Sequence, residues 1–166
     1  MAEIRWKPSV TVAAIIERDG RYLLVEEHTS VGLRLNNPAG HLEPGESLVN
    51  AVIREVLEET ACAFTPEALV GVYLSRSEHP RTGEDITYLR FTFCGSVGEP
   101  QPGRALDTPI VRTLWLTPEE VYLARNSHRS PWVAQCITDH QAGQRFPLDL
   151  LHTHPSVTLL QNSAAV

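Results

Sequence analysis

Four glutamates and one arginine between positions 46 and 59 carry the clearest chemistry in this chain. Glu55 and Glu59 stand four residues apart and Glu58 stands three from Glu55, so a helix brings all three carboxylates to one surface. Like charges so placed repel by roughly 0.2–0.5 kcal/mol per pair. Arg54, four residues before Glu58, offsets part of that charge, but the spacing leaves Glu55 and Glu59 without an opposite charge on their own face. A hard divalent cation with oxygen ligands would resolve the repulsion, which points to metal-assisted chemistry on an anionic substrate.

The elements around these residues must hold them at one place. Leu48, Val49, Val52, Ile53, Val56 and Leu57 recur at three- and four-residue spacing, predicting a helix over residues 47–60 with one apolar stripe and the acidic stripe beside it. Glu43-Pro44-Gly45-Glu46 places proline and glycine as a type II turn requires, and Ser47 is positioned to cap the helix. Gly40 permits close backbone approach to a metal or phosphate.

Gly40, five intervening residues, Glu46, seven more, and then Arg54-Glu55-Val56-Leu57-Glu58-Glu59-Thr60-Ala61-Cys62 resembles the signature box of the Nudix hydrolases. One position departs from it. The family's glycine after the paired glutamates is Ala61, where a left-handed helix end strains a side-chain-bearing residue by roughly 1 kcal/mol, so Ala61→Gly is expected to stabilise by a similar amount. The resemblance implies an α/β/α sandwich with a mixed β-sheet between helices. It also implies hydrolysis of phosphoanhydrides by water attack on phosphorus. Mg²⁺, with Mn²⁺ as a possible substitute, would be held by Glu55, Glu58, Glu59 and the carbonyl of Ala39, with Glu58 as ligand or base and with Arg54 and Glu46 orienting the carboxylates. Asp107, in the loop before the strand expected at 110–116, is the leading candidate for a separate general base. Glu84 and Asp85 are the other candidates.

Further segments match in order along the chain. Lys7-Pro8 before Val10-Thr11-Val12-Ala13, Asn37 to Glu43, Leu89-Arg90-Phe91, Arg129-Ser130-Pro131 and Gly143 to Leu148 look like a bacterial Nudix phosphatase subfamily. Its members act on nucleoside di- and triphosphates and on hydroxymethylpyrimidine pyrophosphate. Lys7, Arg34, Asn37 and Arg90 are the expected substrate contacts. Trp6, Tyr88 and Phe91 join Asn37 as side chains suited to base recognition. His41, beside the proposed metal, is expected to be hydrogen-bonded or exposed rather than catalytic. The alternative enzyme is a sanitising pyrophosphohydrolase for damaged nucleoside triphosphates, or a hydrolase of nucleotide sugars or dinucleoside polyphosphates. A non-catalytic nucleotide-binding module of the same fold would lose box carboxylates, and all four glutamates are present.

The bounds of the chain agree with a small enzyme. At 166 residues and 42 % hydrophobic it has enough chain for one core, expected over 1–152, followed by an aperiodic tail over 153–166 that includes His154. A net charge of −6 argues against a broad nucleic-acid surface, leaving a small phosphorylated substrate as the expected partner of a monomer or homodimer. Cys62, Cys94 and Cys136 lack CxxC spacing, the first residues lack an apolar leader, and no apolar run spans a membrane. A cytoplasmic location is expected.

Strands are expected at 10–17 and 22–26, joined by an Asp19-Gly20 turn, with a polar loop over 29–37. Two more, at 68–75 and 86–94, flank the polar loop 76–85, whose tip is expected to border the site. The long loop 95–109 then leads to a strand at 110–116. Thr117-Pro118-Glu119-Glu120 reads as a helix start, and Ser130-Pro131 opens a helix running to about 141 or 142 before Gly143.

Overall fold

The computed structural model describes residues 5–79 and 82–159. Strand β1 (Ser9–Arg18) lies at the centre, with residues 12–16 buried. Val12, Ala14 and Ile16 enter one apolar cluster and Ile15 enters another, which is why the strand reads as almost continuously apolar. Asp19 (φ 52°) and Gly20 (φ 75°) then turn the chain into β2 (Arg21–Thr29), the two positive φ angles that a tight hairpin demands.

β1 and β2 are registered only at Glu17↔Tyr22 and Arg18↔Arg21. Beyond that turn they part. β1 runs antiparallel to β4 (Ala39–His41) on one side and parallel to β6 (Asp85–Val97) on the other, and β6 pairs with the edge strand β5 (Phe64–Glu78). β2 pairs antiparallel with β3 (Gly32–Asn36) and with β7 (Ile110–Leu116). The result is one mixed sheet, open at the place where β1 and β2 separate.

Helices cover both faces. Ala51, Val52 and Val56 of α1 (Leu48–Thr60) pack on Val12, Ala14, Ile16 and Phe93. Val121 of α2 (Pro118–Leu123) and Val133, Cys136 and Ile137 of α3 (Trp132–Gln141) pack on Ile15, Leu24 and Val70. Each fully buried aliphatic side chain contributes roughly 1.5–3 kcal/mol, enough to clamp the sheet from both sides. This is the expected sandwich. The capping box of Thr117 and Glu120 forms at α2.

Several expectations change. Residues 29–37 are not a loop: Thr29 pairs with Gly32 across a tight turn, Thr29 Oγ1 donates to the Gly32 carbonyl at 2.7 Å, and β3 follows. The polar residues that suggested a loop belong to an outer strand whose one face is solvated. β5 and β6 extend further than the 68–75 and 86–94 segments, because cross-strand pairing carries the polar ends from Phe64↔Val97 out to Glu78↔Asp85. α3 does open directly after Ser130-Pro131 and runs to Gln141 as expected, with Pro131 before its first residue and no side-chain cap. Within the expected tail, Ser156–Leu159 forms one helical turn, and residues 160–166 lie outside the described residues. All three cysteines are buried free thiols, and no described helix is long and apolar enough to cross a membrane.

Candidate active site

The acidic stripe of α1 meets the chain at β4. Ser47 caps the helix by accepting the N–H of Asn50 at 3.1 Å, and Gly45 (φ 89°) makes the turn that delivers Glu46 to its start. Gly40 then passes close against Glu55: a Cβ there would lie 2.1 Å from the Glu55 carboxyl carbon. Only glycine lets the strand and that carboxylate share the space.

Arg54 gathers the carboxylates. Its Nε and Nη2 donate to the two oxygens of Glu46 at 3.1 and 2.7 Å, its Nη1 donates to Glu55 at 2.8 Å and Glu58 at 3.1 Å, and Nη2 also donates to the His41 carbonyl at 3.0 Å. This corrects the expectation that Glu55 lacks a cationic partner. Spacing on a helical surface treats each side chain as a fixed spoke, whereas the long arginine stem and its five-donor fork reach a neighbour one residue away. Glu59 is held differently, accepting the backbone N–H of Ala39 at 2.8 Å.

The electrostatics separate these acids. Burial raises the Glu46 pKa, but the Arg54 and Glu43 hydrogen bonds outweigh it and leave it below the usual carboxylate value. Burial raises Glu55 against the opposing pull of Arg54. At Glu59 burial dominates, the Ala39 bond opposes it, and the charges of Glu55, Glu27 and Asp107 add, pushing the carboxyl up to about 8. Arg54 is raised, chiefly by its bond to Glu46. A carboxylate so crowded by negative charge favours a cation beside it. Glu55, Glu58 and Glu59 are hard oxygen donors of the kind a divalent ion takes. Among the described residues no three such side chains are gathered closely enough to form a ready-made metal cluster, since Arg54 draws Glu55 and Glu58 to itself while Glu59 is bonded to Ala39.

The long loop 95–109 lies along the end of α1. Gln101 donates its backbone N–H to the Ala61 carbonyl and Asp107 donates its own to the Glu58 carbonyl, each at 2.9 Å, while the exposed Asp107 carboxylate accepts the Thr108 N–H and adds its charge to the field at Glu59. Asp85 instead pairs with the exposed Arg76 at 2.5 Å, and the backbone of Glu84 closes the same hairpin through His79. The bonds of both acids stay within that hairpin.

Asn37 and Arg90 come together, with Arg90 Nη2 donating to Asn37 Oδ1 at 2.9 Å, and both are buried rather than displayed. Arg34 sits on β3, not in a loop, and its Nη1 donates to the Leu33 carbonyl. Lys7 is exposed ahead of β1. The His41 ring lies 6.4 Å from that of Tyr88, and the residue engages Arg54 through its backbone carbonyl. One residue escaped the sequence reading. Glu27 is buried on β2, accepts from Arg129 and Asn36 at 3.2 Å each, and adds its charge to the field at Glu59. In the sequence it looks like one more polar position in a half-exposed strand.

The NUDIX domain model matches residues 5–136, and the chain belongs to that family; it is a Nudix hydrolase. It is 37 % identical over 147 residues to Phosphatase NudJ of Escherichia coli K12 and to that of Shigella flexneri, covering 88 % of this chain and 92 % of each relative. A solved NUDIX hydrolase from Nitrosomonas europaea is 52 % identical, with TM-score 0.82 over 89 % of this chain and 98 % of that one. A MutT NUDIX hydrolase from Burkholderia pseudomallei shares the fold at 20 % identity and TM-score 0.64, over 81 % of this chain and 98 % of that one.

Proposed function

We propose that this chain hydrolyses nucleoside tri- and diphosphates and small organic pyrophosphates, hydroxymethylpyrimidine pyrophosphate among them, by water attack on phosphorus. The observation that carries the reading is the gathering of Glu46, Glu55 and Glu58 by Arg54, with Gly40 against Glu55 and the neighbouring Ala39 bonded to Glu59. The resemblance to proteins named as phosphatases supports release of phosphate as the reaction.

Glu55, Glu58, Glu59 and the Ala39 carbonyl would hold Mg²⁺, or Mn²⁺ in its place. Bound there, a divalent ion supplies charge stabilisation for the phosphoryl oxygens and lowers the pKa of water. The chain's own residues set the geometry. Arg54 and Glu46 fix the carboxylates in orientation, as a partner behind a ligand does. Gly40 brings β4 close enough for Ala39 to face Glu59. Asp107 accepts the proton of the attacking water, with its backbone bond to Glu58 keeping it at the site. Catalysis then rests on positioning and charge, which phosphoryl transfer chiefly requires.

A time-resolved release assay in ¹⁸O-labelled water with magnesium, over nucleoside tri- and diphosphates, hydroxymethylpyrimidine pyrophosphate and nucleotide sugars, tests the proposal. Stepwise orthophosphate release through a diphosphate intermediate is expected. Direct appearance of pyrophosphate would move the enzyme to the sanitising class. Absence of turnover on every substrate would defeat the reading.

A further inference from the structure

We propose, resting on the phosphohydrolase reading above, that Arg90 is a positioning residue: from inside the fold it holds Asn37, and through Asn37 it sets the backbone of Ala39 against Glu59. Arg90 is 7 % exposed and Asn37 1 %, and Arg90 Nη2 donates to Asn37 Oδ1 at 2.9 Å. Two residues beyond Asn37, Ala39 donates its N–H to Glu59 at 2.8 Å. Between them, the Pro38 carbonyl accepts the Ala14 N–H at 2.9 Å and pins the segment to β1. The run of contacts leads from β6, along residues 37–39, to a carboxylate in the last turn of α1.

The pairing of the sheet does not supply this tie. Among the described residues β6 pairs with β1 and β5, and β4 pairs with β1, so no ladder joins β6 to the chain entering β4. A long side chain reaches where the backbone of β6 cannot. Asn37 is 53 residues from Arg90 in sequence, and its amide is the point at which β6 takes hold of that chain.

Arg90 is a costly way to fill a core. Taking a cation out of water is unfavourable unless an opposite charge meets it, and apolar side chains of similar volume often serve a fold as well or better. Among the described residues Arg90 forms no ion pair, and its buried Nε has no partner. What it adds lies at the site. Its Nη2 fixes the Asn37 amide, and the carboxylate whose charge reaches it is Glu59, which favours the charged guanidinium against the opposing effect of burial. So deeply covered, Arg90 offers little surface to a substrate and acts through the backbone it holds.

The test is a double-mutant cycle of Arg90→Met, Asn37→Leu and the double variant, read by amide hydrogen exchange and by kcat and KM. Replacing both partners leaves neither an orphaned acceptor nor a buried cation, so the double variant carries the test if a single variant fails to fold. Exchange at the Ala39 amide is expected to quicken at least about tenfold in each variant, while amides of the β2–β7 ladder keep their rates. kcat is expected to fall about tenfold to a hundredfold with KM within about threefold of wild type, and the double variant to lose no more than the worse single variant. Unchanged exchange at Ala39 would overturn the tie, and losses that add across the two positions would show that Arg90 does not act through Asn37. Faster exchange throughout the sheet, or a double variant that does not fold, would make Arg90 a structural residue, and a raised KM at unchanged kcat would make it a substrate contact; either overturns the proposal. The exchange measurement needs no turnover. Wild type inactive on every substrate defeats the hydrolase reading alone, and unchanged Ala39 exchange in active variants defeats the positioning role alone.

Discussion

The Glu59 carboxylate accepts the backbone N–H of Ala39 at 2.8 Å, tying the last turn of α1 to β4. That bond fixes one oxygen of a carboxyl that burial and neighbouring acids push up to about 8, so ionisation of Glu59 is linked to whatever positive charge enters beside it. Glu55 is held on the other side by Arg54 at 2.8 Å. Replacing either with Gln keeps the shape and removes the charge. Under saturating magnesium, kcat of Glu55→Gln and of Glu59→Gln is expected to fall at least about a hundredfold, the scale on which positioned electrostatic groups act. Near-normal turnover in both variants would overturn their assignment.

Asp107 and Asp85 were both candidates for the base, and the structure gives them different surroundings. Asp107 is bonded through its backbone to Glu58, whereas Asp85 is spent on an exposed pair with Arg76. Asp107→Asn is therefore expected to lower kcat by about 10²- to 10⁴-fold, with metal affinity measured in parallel to separate proton transfer from binding. Asp85→Asn is expected to leave kcat unchanged. The reverse ranking would move the base to the β5–β6 hairpin.

Ala61 ends α1 with φ 59°, the left-handed conformation inferred from its place in the box. It is also only 4 % exposed. Glycine there relieves strain of roughly 1 kcal/mol but removes a buried methyl group worth about 0.8 kcal/mol and loosens the unfolded chain. The two sides nearly cancel. Ala61→Gly is thus expected to lower unfolding free energy by less than about 1 kcal/mol, rather than to stabilise by the full strain. Denaturant unfolding checks it, and a gain near the full strain would show that the methyl group contributes little.

The acidic helix α1 was legible because each of its determinants is local: the apolar stripe, the Ser47 cap, the turn at Gly45 and the spacing of Glu55, Glu58 and Glu59 all lie within one short segment. Arg54 was half legible. Its link to Glu58 follows from helical spacing, but its reach to Glu46 and Glu55 depends on side-chain length and on the turn folding back. The β2–β3 hairpin was missed because a solvated outer strand and a polar loop have the same composition. Glu27 and the buried Arg90–Asn37 pair were not legible as a group, since their proximity comes from sheet register between strands far apart in sequence. Asp107 was put forward by resemblance, and the bond of its backbone N–H to the Glu58 carbonyl is a tertiary fact.

Two half-buried histidines set an acid limit on stability. The His128 ring bonds the Val121 carbonyl through Nε2 at 3.0 Å, and His140 Nδ1 meets the Tyr22 hydroxyl at 3.0 Å. Burial lowers the pKa of both, opposed at His128 by its carbonyl partner and reinforced at His140 by Arg145. The folded chain then binds fewer protons than the unfolded chain below the ordinary histidine value of about 6.5. Their stabilisation is fully present above that value and is lost as pH falls through the lowered folded values. Glu55 and Glu59, raised in the fold, act with the opposite sign, since their contribution weakens as pH rises. A bare stability profile mixes the two. The difference between wild type and His128→Gln/His140→Gln isolates the histidines, because the carboxylates are common to both. Urea unfolding from about pH 7.5 to about pH 5.5 is expected to show a steeper loss of stability in wild type than in the double variant. Equal slopes would mean that neither imidazole is kept neutral by the fold.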